Sequence, residues 1–390
     1  MFIKVLKIIF SFLFVTMLVI PLLTTNLKKD TISTAENRTL TQMAELYNEG
    51  GSLNKNFNSD FEAWINDNIG FRSQMVINNS KIQYYLFNVL ANNSDMYLGP
   101  NGEFNYANKD MLTDYQHLNL KSDEALNQLA EGFQYANDYL KEKGIQLYYF
   151  QCWDKHSIYP EYFPTSVIQY GNESKTDEIV QTLTEKTNVV VVSPKQELIK
   201  GKNEFETYSK WGDSTHWTQR GAFIGYQLLL NTINQYNGNS FKVLHEDDYN
   251  ITLKDMGSTL FGGIHKECML ENFQIINPQA YLTNEKLTVH SDDHRHRFFT
   301  NNFVDNKTRV LVLGDSYINS FILDDIAESF YETLIIWGDY TSDFEEIVDA
   351  YQPDIVIVEN AERCDRTGAF ASTLLQIKAN ASVNNYGTMK

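Results

Sequence analysis

The run Arg309-Val310-Leu311-Val312-Leu313-Gly314-Asp315-Ser316 constrains this chain more than any other stretch. Four apolar β-formers lead without interruption into Gly-Asp-Ser. A short apolar run closed by Gly reads as a strand buried on both faces, the kind that parallel sheets use. A strand ending there delivers a hydroxyl to the carboxyl edge of the sheet, where open α/β sheets bind ligands. Ser316 is therefore a candidate nucleophile, although Gly, Asp and Ser also favour plain strand-ending turns.

A serine hydroxyl needs an adjacent base to react. The upstream segment Trp211-Gly212-Asp213-Ser214-Thr215-His216-Trp217-Thr218 offers one. His216 supplies the imidazole, and Asp213, three residues earlier, can fix its tautomer. Asp213 can equally cap the helix that the pattern predicts over Gln219–Leu229.

A Gly-Asp-Ser block before an apolar helix, paired with the Asp-x-x-His-Trp of Asp213–Trp217, resembles the SGNH hydrolase superfamily. More narrowly it resembles the alginate O-acetyltransferase family (AlgX/AlgJ-like, DHHW-type). Two further stretches are similar to that family. One is the start of the chain after residue 30: Glu36-Asn37-Arg38-Thr39-Leu40, then Phe61 to Arg72, then a Gly99–Gly102 turn. The other is Lys155 to Glu161, with Trp153-Asp154 where Pro-Asn is more usual. In ordinary SGNH enzymes the serine block comes first. Here it comes after the histidine block, and that permuted order is a mark of this group.

The resemblance implies an α/β fold, a three-layer α/β/α sandwich on a parallel central sheet. The residue pattern agrees. Helix Ser122–Lys143, stopped by Gly144, precedes strand Ile145–Phe150. Helix Thr176–Thr187 precedes strand Val189–Val192. After Ser316 a helix over Ser320–Phe330 leads to strand Thr333–Trp337, and a further helix leads to strand Pro353–Val358. Repeated strand–helix units favour a parallel sheet. By the SGNH plan Gly338 and Asn360 would be the oxyanion glycine and asparagine, beside the Ser316 N–H. The usual Gly-x-Asn-Asp is here Glu359-Asn360-Ala361-Glu362-Arg363. Tyr317, Trp217, Lys155 and Arg363 complete the candidate substrate-binding set, with solvent exposure the alternative for Lys155.

Met1 to Leu27 begins with Lys4 and Lys7 and continues with an apolar stretch, Ile8–Leu23, of signal-peptide or short-span length. No A-x-A cleavage site follows. An uncleaved signal anchor is the expectation, with a cleaved signal peptide and secretion the alternative. The organisation expected is an anchor over residues 1–27, a lead-in region over 28–115, and the SGNH-like domain over 116–390 with an insertion at about 235–308. Within that insertion Asp292-Asp293-His294-Arg295-His296 looks metal-like but lacks a third ligand, and no metal or cofactor is expected. Three cysteines, Cys152, Cys268 and Cys364, make no disulfide framework; one pair is the most they can form, and the sequence does not name it.

With 50 acidic against 32 basic residues the formal charge is -18. A phosphate-binding face needs the opposite sign, so nucleic acid is excluded as a partner. The resemblance implies an acetyl group moved through an acyl-serine onto hydroxyls of an exported or cell-surface polysaccharide. It also implies a membrane-bound O-acyltransferase that delivers the acetyl group. A carbohydrate O-acetyl esterase, and a glycan-binding or assembly protein without catalysis, remain as alternatives.

Overall fold

The computed structural model describes residues 2–27, 31–33, 38–48, 50–90, 95–106, 108–238, 241–260, 263–283, 296–337, 343–364 and 366–387. The chain divides into two compact units, Met1–Asn93 with Thr259–Lys266, and Ser94–Ser258 with Glu267–Lys390.

In the first unit the apolar segment is a helix, Phe2–Leu23. Its stretch Ile3–Leu23 has mean hydropathy 2.5 and no buried share, so it is long and apolar enough to cross a membrane. Two further helices follow, Phe57–Asn68 and Arg72–Phe87. The Gly70 N–H between them donates to the Pro21 carbonyl at 3.0 Å. A Cβ on Gly70 would lie 1.9 Å from the Thr24 hydroxyl, so only glycine fits there.

The second unit is built on one sheet. Its strands, in chain order, are β1 (Gln146–Cys152), β2 (Val190–Val192), β3 (Tyr281–Thr283), β4 (Arg297–Thr300), β5 (Arg309–Gly314), β6 (Glu332–Trp337) and β7 (Ile355–Ala361). They lie in the order β3-β4-β6-β5-β7-β1-β2. From β6 to β2 all pairings are parallel. The region read as an insertion, about 235–308, supplies one edge of the sheet: β4 pairs antiparallel with β6 and β3 pairs antiparallel with β4. The same region also forms a separate antiparallel ribbon, Tyr249–Asp255 with Met269–Ile275.

Strand side chains alternate between faces, which makes two cores. Tyr148, Phe150, Val310, Val312, Ile355 and Ile357 pack on one side, against helix α3 (Gln219–Asn237). Leu147, Tyr149, Leu311, Leu313, Val356 and Val358 pack on the other, against α1 (Asp123–Glu142), α2 (Lys175–Lys186), α6 (Phe344–Tyr351) and α7 (Arg366–Gly387). The result is a helix–sheet–helix sandwich, the three layers that the resemblance implies. Helix α1 shows how local sequence sets an element. Ser122 caps it by accepting the Ala125 N–H. Leu129, Phe133, Ala136 and Leu140 recur on its buried face, and Gly144, at φ +77°, ends the turn beyond it.

The helix expected over Ser320–Phe330 is two short helices, α4 (Ser316–Phe321) and α5 (Leu323–Ala327). The first starts on the serine itself because Asp315 caps it, accepting the Tyr317 N–H at 3.0 Å. All three cysteines are free thiols.

Candidate active site

Strand β5 ends at Gly314 in the middle of the sheet and places Ser316 at its carboxyl edge, as the first residue of α4. The crossing is tight. A Cβ on Gly314 would lie 2.8 Å from Glu359 Oε2, which itself accepts the Asp315 N–H at 2.7 Å. Glu359 is fully buried, and burial with the nearby Asp315 pushes its carboxyl well above the usual range. Sequence reasoning missed this brace. Its one signal is an acid at the end of an otherwise apolar strand.

Asp213 and His216 lie on the irregular loop before α3. Asp213 does not cap that helix; the Thr218 hydroxyl does, accepting from Gly221 N–H at 3.1 Å. Asp213 instead folds its own loop. Its Oδ1 accepts the backbone N–H groups of Thr215 at 2.9 Å and His216 at 3.0 Å. Its Oδ2 faces His216 Nδ1 at 2.9 Å. Burial would raise this carboxyl, but the hydrogen bonds from His216 and the loop N–H groups outweigh it and hold the pKa well below the usual carboxylate range.

His216 Nε2 lies 2.9 Å from Ser316 Oγ and 2.8 Å from Arg363 Nη2. These partners determine the tautomer. A carboxylate can only accept, so Nδ1 carries the hydrogen; a guanidinium can only donate, so Nε2 holds the lone pair. The imidazole thus presents an acceptor to the serine hydroxyl. The ring is packed between Tyr317, centroid 5.0 Å away, and Phe321, stacked at 5.6 Å.

Arg363 comes from the loop after β7. Its Nη1 donates to Asp154 Oδ1 and lies 3.3 Å from the Tyr317 hydroxyl, which itself donates to Asp154 Oδ1 at 2.7 Å. Burial works against the guanidinium, but Asp154 and Tyr317 hold its pKa far up. Asp154 is thus the hub that aims Arg363 at His216, and sequence reasoning did not single it out.

The other candidates divide. Trp217 and Tyr317 are 1% and 0% exposed, so they do not line a surface for substrate. Their rings pack edge-on at 5.0 Å and wall the histidine from behind. Lys155 is buried rather than solvated. Its Nζ donates to the Phe104 carbonyl at 2.6 Å, and burial pulls its pKa down to about 8 against the opposing pull of Glu206 and Asp213. Asn360 is buried, with its amide nitrogen 3.5 Å from Gln151 Oε1, and among the described residues its side chain makes no hydrogen bond to Ser316 or His216. Gly338 lies outside the described residues, as does most of the Asp292–His296 cluster.

Asp114, His156 and Glu362 form a buried cluster of ligand-type atoms. His156 Nε2 is 3.6 Å from Asp114 Oδ2 and 3.7 Å from Glu362 Oε2, and Lys175 Nζ is 3.5 Å from Asp114 Oδ1. Burial alone would lower His156. Glu362 and Asp114 outweigh it and raise the imidazole to about 9. Asp114 keeps its carboxyl below the usual range beside this imidazole, against the opposing effect of burial, while burial raises Glu362 to about 7.

Among solved structures, Bacillus cereus PatB1 is 19% identical with a TM-score of 0.48, over 62% of this chain and 90% of that one. A DHHW family protein from Eubacterium siraeum is 14% identical with a TM-score of 0.46, over 66% and 90%. The O-acetyltransferase domain of Pseudomonas putida AlgJ is 14% identical with a TM-score of 0.40, over 69% and 91%. No curated protein matches the chain. A family model described as "SGNH hydrolase-like domain, acetyltransferase AlgX" matches residues 111–323, more than half of the chain and the span that carries Asp213, His216 and Ser316, and the chain belongs to that family.

Proposed function

We propose that the protein is an extracytoplasmic O-acetyltransferase that acts through an acetyl-Ser316 intermediate on hydroxyls of a cell-surface or exported polysaccharide. The observation that carries this reading is the chain Asp213 Oδ2, His216, Ser316 Oγ, with both hydrogen bonds at 2.9 Å. Ser316 Oγ attacks the acetyl carbonyl of the donor ester, and its proton passes to His216 Nε2. That proton then goes to the departing alkoxide, leaving acetyl on the serine. An acceptor hydroxyl next gives its proton to the same nitrogen and attacks the acetyl-serine. The new ester leaves as Ser316 Oγ regains a proton.

Arg363 cannot donate to Nε2 once that atom carries a proton. Its Nη2 is then free to turn toward the oxyanion formed beside Ser316, where a positive charge helps most. The Ser316 N–H and Gly338 are the further oxyanion candidates. Asn360, with its amide turned to Gln151, is the weakest of the set.

The test is a single-turnover experiment on the full chain in detergent with p-nitrophenyl acetate. With acceptor withheld, the Ser316 peptide is expected to carry an acetyl group, and added oligosaccharide is expected to discharge it to an acetylated sugar. Discharge to acetate alone, at a rate no acceptor changes, would mark an esterase.

In the same reading Phe2–Leu23 is an uncleaved signal anchor, and a membrane-bound O-acyltransferase supplies acetyl from the far side. The full-length chain should then stay with membranes through a carbonate wash. Recovery of a soluble form lacking the first twenty-odd residues would overturn the anchor.

A further inference from the structure

Beside α4 lies a cavity of about 420 Å³, within the range of small-molecule sites. Ser320 and Phe321, four and five residues after Ser316, form one wall. Phe321 also stacks on His216, so the cavity and the base share a ring. Tyr249 and Phe273 of the ribbon and Phe299 of β4 supply further aromatic faces.

The charged lining is of one sign. Asp324, Asp325 and Glu328 reach the cavity, and no Lys or Arg lines it among the described residues. Among the described residues, the neighbouring cations Arg220 and Arg297 are already matched. Arg220, whose guanidinium lies 4.9 Å from the centre of the Phe273 ring, is held by Glu271 at 2.7 Å and also by Glu246. Arg297 is paired with Asp324 at 3.0 Å. Asp325 accepts the Tyr249 hydroxyl at 2.8 Å, and burial raises its pKa to about 7. Near neutral pH it can therefore both donate and accept.

We infer that this cavity holds the acceptor glycan next to the hydroxyl being acetylated, and that this acceptor is built of sugars without carboxylates, neutral or amino-bearing, rather than of uronates. Aromatic faces cover the C–H side of a sugar ring, and carboxylates accept from its hydroxyl, amide or ammonium groups. A uronate would bring its charge into a partly buried site lined by three acidic side chains, with no cation free to meet it among the described residues. The inference rests on the acyl-transfer reading of Ser316 and His216.

The test is competition between three probes: a neutral xylo-oligosaccharide, a chitosan oligosaccharide and an oligogalacturonate. Full-chain enzyme in detergent is charged with p-nitrophenyl acetate, and acetylated sugar is counted by mass spectrometry. The carboxylate-free probes are expected to be acetylated faster than the uronate by at least about tenfold. Asp324→Lys should shrink that ratio by about tenfold by giving the uronate a partner; Ser320→Lys, on the same exposed rim, is the second variant. Three results would overturn the inference: equal or preferred use of the uronate, a ratio unmoved by both variants, or an acetyl-Ser316 that neither carboxylate-free probe discharges. A Ser316 that never becomes acetylated is a different result; it removes the acyl-transfer reading itself.

Discussion

Ser316→Ala is expected to lower acetyl transfer from p-nitrophenyl acetate by about 10⁶-fold, the scale seen when a serine nucleophile that works as one unit with its base is removed. The fold should survive, because the hydroxyl's one hydrogen bond among the described residues is to His216. His216→Ala should cost about as much, and the double variant no more than either single, since neither group works without the other. Asp213→Asn is the sharper probe. Two backbone N–H groups pin Oδ1, so the new amide must turn its NH₂ toward His216 Nδ1. That nitrogen then has to accept, the ring hydrogen moves to Nε2, and the lone pair facing Ser316 is lost. A drop of about 10⁴ in kcat is expected, as when a triad aspartate is neutralised elsewhere. Full transfer by Ser316→Ala would end the acyl-enzyme scheme, since no acetyl-Ser316 can then lie on the path.

The α/β class and the serine, histidine and aspartate were legible because each rests on local chemistry. The run from Val310 to Leu313 has the length and composition of a doubly buried strand, and the glycine after it ends the pattern. Asp213 and His216 sit three residues apart, close enough for one loop to join them. What could not be read is what depends on partners far along the chain. Lys155 reads as a surface lysine until the Phe104 carbonyl is brought to it. Trp217 and Tyr317 stand inside the motifs, yet each is spent on the other's packing. Strand β3 carries a weak pattern because its edge position buries little of it, β4 is only four residues long with Phe298 and Phe299 buried on opposite faces, and the pairing of β4 to β6 is a long-range choice. Arg363 was named from its place in a loop. Its contact with His216 follows only from the buried Asp154, which itself looks like an ordinary helix-starting residue.

Arg363→Met should destabilise the second unit by about 3–5 kcal/mol, because it strands a buried carboxylate. Asp154 is fully buried, its Oδ2 has no hydrogen-bond partner among the described residues, and Oδ1 would keep only the Tyr317 hydroxyl. Thermal or urea melts of the full chain in detergent read the loss. The double variant Arg363→Met with Asp154→Asn should recover much of it, since a neutral amide leaves no charge behind and can still accept from Tyr317. Transfer activity should stay low in both, because no cation then faces His216 or the oxyanion. A single variant that melts within about 1 kcal/mol of the natural chain would show that Asp154 is not paying for an unpaired charge, and the guanidinium would then be held for catalysis alone.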